Sequence, residues 1–299
     1  MTADEIKKDE NRKPSRLRYI IAAAVILFLI LMALDYIFLT RGQKSDNPSL
    51  VYYWPIDEGQ GNIINDIISG KNGSIYGATW TAGITGQALS FDGADDYASL
   101  PANNPKWLPK NNFTVSIWVY FERDSNYPAN EMILDLNYSN SDYSTKEIGC
   151  NIIFHALSIP RKLTFQMHTI STTDEDLASD LTIIPDQWYH ITIVRNDIHQ
   201  SLFVNGKLSA RRFCSPEPVK FYDVQHGYDD DKVNVGRFTT TLGSPRYYFK
   251  GKIDEISIFD GAMSASRIKK IYNNYLNRIP NPLMADPNNS DSSLTIIRE

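Results

Sequence analysis

DQWYHITIVRNDIHQSLFVNGKLSA, from Asp186 to Ala210, is the stretch whose reading decides the fold. Tyr189, Ile191 and Ile193 share one face of an extended chain; Trp188, His190, Thr192 and Val194 share the other. A period of two with both faces occupied marks a strand packed on both sides. Asn196-Asp197 reads as a short polar turn and Ser201 to Val204 as the returning strand. Asn205-Gly206 then forms a two-residue hairpin turn, because both positions favour φ > 0. Lys207 to Arg211 starts a third strand. Such a meander does not stand alone in water and needs a second sheet against it.

The 299 residues allow one large β domain, and a 12% aromatic share supplies a sizeable core. The net charge of −5, with no basic stripe beyond the first eighteen residues, argues against nucleic acid as a partner. Two cysteines without CxxC spacing make neither a disulfide scaffold nor a zinc site.

Tyr19 to Leu39 is a 21-residue apolar run with one charge, Asp35. As a helix it spans a hydrocarbon core of about 30 Å. Lys7, Lys8, Arg12, Lys13, Arg16 and Arg18 precede it, against Arg41 and Lys44 after it. That bias places the N-terminus in the cytoplasm and the remainder outside it, periplasmic or at the cell surface. The long basic region before the run, and the lack of small residues at a cleavage site after it, favour an uncleaved signal anchor over a signal peptide. The chain therefore divides into a basic tail (1–18), a transmembrane anchor (19–39), a linker (40–49), a β domain (50–277) and a Pro- and Asn-rich tail (278–299) expected to be disordered.

Several segments of the β domain carry a family pattern. Tyr52 to Pro101 contains Trp54, Glu58, Gly59, Gly61, Asp66, Ser69-Gly70 and Gly73, then Gly77, Trp80, Gly83 and Gly86, and closes on the FDGADDY run of Phe91 to Tyr97. NFTVSIWVYF (Asn112 to Phe121), the WxHxxxxR…LFVNGK element of Trp188 to Lys207, VNVGRF and YFKGKIDEISIFDGAMSASRIKKIY follow in order. Together they resemble the concanavalin A-like, laminin-G type (LamG-like) jelly-roll domains over roughly residues 50 to 276. The resemblance implies an all-β, two-sheet antiparallel jelly-roll sandwich that serves as a binding module. The residues agree on their own: short alternating segments between Gly, Asn and Asp turns argue for a sandwich. A short C-terminal helix is expected after Ser264 as cap, with Ile268, Ile271, Tyr272 and Tyr275 on one face.

Catalytic chemistry finds little support. Glycoside hydrolysis needs two carboxyls on one face of a cleft. The nearest pair, Asp254-Glu255, falls on opposite faces of a regular strand. Asp95-Asp96 and Asp229 to Asp231 read as loop charge. The five histidines are scattered, no GxSxG elbow accompanies them, and the glycine-rich stretch before Gly73 lacks a phosphate-loop Lys-Ser/Thr. His155 and His190, each among apolar neighbours, read as packed strand histidines.

The resemblance also implies that the first and last strands meet, so Asp66 and Asp254 are the candidate ligands of a structural Ca²⁺, a cation that takes hard oxygen donors. The alternative for Asp66 is an Asx-turn beside Ser69-Gly70. Recognition is expected on rim loops rich in aromatic and polar side chains: Tyr127, Asn137, Tyr138, Asp142, Tyr143, His226 and Tyr228. Outside the cytoplasm Cys150 and Cys214 are candidates for one disulfide, with two buried thiols as the alternative. The expected function is a membrane-anchored, non-catalytic module that binds glycan or a surface protein. A structural protein of an envelope complex and a glycoside hydrolase of the same fold are the alternatives.

Overall fold

The structure, a computed structural model, describes Val25 and residues 48–101, 111–122, 130–136, 149–155, 161–168, 176–215, 232–239 and 245–278. The chain divides into two units, Met1–Asp46 and Asn47–Glu299. Of the expected anchor Tyr19 to Leu39 only Val25, which is helical, lies within the described residues. Among the described residues no helix is long and apolar enough to cross a membrane.

The larger unit is built from strands numbered here in chain order. The first sheet runs β14 (Lys207–Phe213), β13 (His199–Val204), β12 (Gln187–Asn196), β7 (Phe113–Phe121), β18 (Lys250–Phe259), β5 (Gln87–Asp92) and β4 (Thr79–Ala82), with β1 (Leu50–Trp54) also paired to β18. The second runs β11 (Leu177–Ala178), β10 (Lys162–His168), β9 (Gly149–His155), β8 (Glu131–Asp135), β15 (Lys232–Val235), β6 (Tyr97–Pro101), β3 (Gly73–Tyr76) and β2 (Ile63–Ile64). A two-stranded ribbon joins β16 (Phe238–Thr239) to β17 (Pro245–Arg246). All pairings are antiparallel, as the sandwich reading expects.

Alternation sets the layers. On β7, Phe113, Val115, Ile117, Val119 and Phe121 point inward and join Tyr189, Ile191 and Ile193 of β12 in the core. The second sheet answers with Leu163, Phe165 and Met167 of β10, Val233 and Val235 of β15, and Ala98 and Leu100 of β6. Burial of each Val, Leu, Ile, Phe or Met among them is worth about 1.5–3 kcal/mol, which is why the strict period of two persists on these central strands.

The hairpin that organises the sequence closes as expected. Ile191 pairs with Val204, and Asn205 and Gly206 turn with φ of 51° and 72°. Asn205 clamps the strand it leaves: its Oδ1 accepts from the His190 amide at 2.9 Å, and its own amide donates to the His190 carbonyl at 2.8 Å. The other turn sits one residue later than the sequence suggests. Asn196 ends β12 opposite His199, its Oδ1 accepting from the Ile198 and His199 amides, so Asp197-Ile198 is the loop.

One helix, α1 (Ala265–Arg278), follows β18. Ser264 caps it through Oγ, which accepts from the Arg267 amide at 3.4 Å. Ile268 is buried with Val194, Phe203, Phe259 and Met263. Tyr272, Tyr275 and Leu276 pack on Trp118 and Trp188. The helix thus covers the outward face of β12, β7 and β18.

Candidate functional site

The two outer faces of the sandwich differ in kind. On the first sheet, Asp254, Trp118 and His190 lie side by side on β18, β7 and β12. Trp118 stacks on Tyr272 at 5.8 Å between ring centroids and meets Tyr275 edge-on at 5.5 Å. His190 is 1% exposed, as a packed strand histidine should be. Its Nε2 is hydrogen-bonded to Ser116 Oγ at 2.7 Å, and Nδ1 has no partner among the described residues. Burial pulls its pKa down to about 3, so the ring stays neutral.

The alternation argument fails at Asp254-Glu255. A β-bulge interrupts β18 between Asp254 and Ser257, with Glu255 at φ 56°. A bulge re-aims a side chain, and both carboxyls consequently meet the turn between β4 and β5. Asp254 Oδ2 accepts from the Ile84 amide at 2.9 Å, and Glu255 Oε1 accepts from Thr85 Oγ1 at 2.7 Å. Tyr275 donates to Glu255 Oε2 at 2.9 Å, and the Tyr53 hydroxyl donates to the same oxygen. Burial, then the neighbouring charge of Glu255, raises the Asp254 pKa well above the usual carboxylate range. Tyr53 and Tyr275 are likewise pushed up, burial being the larger cause. The pair is brought together but enclosed, at 0% and 4% exposure.

The second sheet presents a polar row instead. Ser74, Ser99, Asn234 and Asp135 occupy neighbouring positions on β3, β6, β15 and β8, and the same register leads on to Asn151 and Gln166. Ser99, Asn234 and Asp135 are buried. Ser99 Oγ has no hydrogen-bond partner among the described residues. The row opens at its β3–β6 end. There Tyr76, 40% exposed, stacks on Tyr97 with centroids 4.4 Å apart and planes 6° from parallel. The Arg237 guanidinium lies 3.3 Å from the Tyr97 ring centroid, and its Nε donates to Asn234 Oδ1 at 3.2 Å. Gly236, at φ 83°, turns the chain off β15 where any Cβ would strike the Phe91 ring at 2.7 Å. Flat rings beside a few fixed polar groups form a surface suited to a sugar, whose two faces differ in the same way.

Comparison with known proteins bears on this arrangement. The family model for the concanavalin A-like lectin/glucanases superfamily, laminin G type, matches residues 92–269, more than half of the chain. The chain belongs to that superfamily. No curated protein matches this concanavalin A-like chain in sequence. Among solved structures it resembles the receptor binding domain of botulinum neurotoxin D at 16% identity and a TM-score of 0.57, over 78% of this chain and 55% of that one. It also resembles Trypanosoma rangeli sialidase, solved with the inhibitor DANA, at 14% identity and a TM-score of 0.52, over 75% of this chain and 32% of that one. The chain thus spans about half of the first and a third of the second. These likenesses show the fold.

For this concanavalin A-like domain the calcium ligands expected from sequence sit in two separate networks. Asp66 Oδ1 accepts from the Tyr53 and Ile68 amides and Oδ2 from the Ser69 amide and hydroxyl. Four donors already bond that carboxylate, which is the arrangement of the Asx-turn alternative. Asp254 keeps one oxygen, Oδ1, without a partner among the described residues, but its neighbour Glu255 is surrounded by hydroxyls. Among the described residues, Asp92, Asp95 and Asp96 bring carboxylate oxygens within 4.8 Å of one another, held by amides of their own turn.

Cys214 is a buried thiol with Sγ 3.9 Å from the Asn196 carbonyl oxygen. The side chain of Cys150 lies outside the described residues, and the bridge expected between the two with it. Tyr127, Asn137, Tyr138, Asp142, Tyr143, His226 and Tyr228 also lie outside them. Sequence reasoning missed Tyr76, Arg237 and the polar row. Alternation within GSIY and YASLP was available as a signal, but the pairing of β3 with β6 was not, because β4 and β5 intervene in the other sheet.

Proposed function

We propose that this chain is a non-catalytic glycan-binding module, anchored in a membrane by Tyr19 to Leu39 and displayed outside the cytoplasm. The observation that carries the reading is the Tyr76–Tyr97 stack beside the Asn234 and Ser99 row. Tyr76, 40% exposed, offers ring surface to a sugar, with the Arg237 guanidinium beside the stack and the buried row fixing it from below. Replacing Tyr76 with Ala is expected to weaken glycan binding by about 2 kcal/mol, some 30-fold in Kd, with the melting temperature little changed. Titration of the two proteins with a glycan that the wild type binds decides the point. Equal affinities would contradict the placement.

The anchor rests on the apolar run and the Lys/Arg asymmetry about it. The full chain is expected to stay in the membrane pellet through alkaline carbonate extraction; release into the supernatant would contradict an integral anchor. Hydrolysis is the weaker reading, since the carboxyls that the fold brings together are shut beneath α1 and committed to hydroxyls and amides. An assembly role draws support from another place. Phe213, at 74% exposure, lies at the end of β14 beside the Asp197-Ile198 turn, where Ile198 is 49% exposed, and apolar surface of that kind fits a protein partner.

A further inference from the structure

Arg237 is fixed more firmly than glycan binding alone would ask. Its guanidinium carbon lies over the Tyr97 ring at 3.3 Å from the centroid, and Tyr97 lies flat on Tyr76. The hydrogen bond from Nε to Asn234 Oδ1 sets the rotation of the group in that plane. Among the described residues that is its one hydrogen bond, and no described carboxylate pairs with it. The two terminal nitrogens, Nη1 and Nη2, therefore have no hydrogen-bond partner among the described residues. In the β5–β6 turn, Asp92 Oδ1 accepts from the Ala94 and Asp95 amides, and Asp96 Oδ2 from the Asp92 amide.

A planar guanidinium pre-set in this way matches two oxygens of one anionic group better than it matches scattered hydroxyls. We infer that the glycan bound at Tyr76 is an acidic one, carrying a carboxylate or sulfate that Arg237 receives through its terminal nitrogens. The inference rests on the glycan-binding reading and adds the class of sugar. Orientation by the stack lowers the side-chain entropy lost when the ligand docks.

The test uses the full chain in a sugar-free detergent on an array of matched pairs: uronate, sialylated and sulfated oligosaccharides, each beside its esterified or unsulfated counterpart. The expected result is binding to acidic members only, weakened by added salt. Arg237→Gln is expected to lose at least about tenfold in affinity for them. Arg237→Lys keeps the charge without the fork and is expected to fall between the two. A thermal melt confirms that each variant is folded. If carboxylated probes alone respond, the group is a carboxylate; if sulfated probes alone respond, it is a sulfate. Equal binding to neutral counterparts, unaffected by Arg237→Gln, would overturn the inference while leaving glycan binding intact. Silence across the array from folded protein would overturn both.

Discussion

Replacing Glu255 with Ala is expected to destabilise the β domain by about 3 kcal/mol, because it strands three hydroxyls at once. Thr85, Tyr53 and Tyr275 all donate to this one carboxyl, and they come from the β4–β5 turn, β1 and α1. Glu255 thereby ties four elements together at the bulge of β18. Its left-handed backbone costs about 1–2 kcal/mol for a residue with a Cβ, so the hydrogen bonds must outweigh that strain. Glu255→Gly separates the two effects: it relieves the backbone but loses the acceptors, and is expected to be less harmful than Ala. In the Glu255→Ala background, Tyr53→Phe is expected to cost little more, since its hydroxyl has already lost its acceptor. Urea denaturation of the four proteins measures this. Wild-type stability in Glu255→Ala would contradict the account.

The second large effect is loss of stability in acid, driven by His190. Its folded pKa of about 3 lies below the unfolded value of 6.5. The unfolded chain therefore binds a proton that the folded chain refuses, and stability falls as pH drops from 6.5 towards 3. The limiting slope is about 1.4 kcal/mol per pH unit, and the full loss is about 5 kcal/mol. That is comparable with the whole stability of a marginal domain. Asp254 acts in the opposite sense. Its raised pKa makes a contribution that is complete below 3.8 and is lost as pH rises through the folded value. His190→Phe is expected to flatten the acid limb, and Asp254→Asn to remove the opposing gain. Melting temperatures between pH 3.5 and 7.5 would show both; an unchanged acid slope in His190→Phe would contradict the reading of a neutral, enclosed ring.

What was legible in the sequence follows from which interactions are local. The period of two on β7 and β12, the Asn205-Gly206 turn and the Ser264 cap each depend on neighbours in the chain, and each formed where the residues placed it. The inner faces follow for the same reason, since apolar alternation is a statement about one strand at a time. Glu255 was misjudged because a bulge with φ > 0 at a non-glycine residue carries no compositional signal. The Tyr76–Tyr97–Arg237 cluster was missed because it joins β3, β6 and the end of β15, whose adjacency is a property of the crossed topology. Asp66 was offered to a cation on the strength of the family pattern; its carboxylate accepts from the Ile68 and Ser69 amides and the Ser69 hydroxyl of its own turn and from the Tyr53 amide of β1, as the Asx-turn alternative expects.

Glycan recognition by the open end of the second sheet is the central claim. The most direct measurement is a glycan-array assay on the full chain in a sugar-free detergent, run with calcium and again with EDTA, with Tyr76→Ala alongside. The account predicts binding to one defined class of glycan, in either condition, that Tyr76→Ala weakens about 30-fold. Protein that melts cooperatively and yet binds no glycan in either condition would contradict it and turn attention to a protein partner at Phe213 and Ile198.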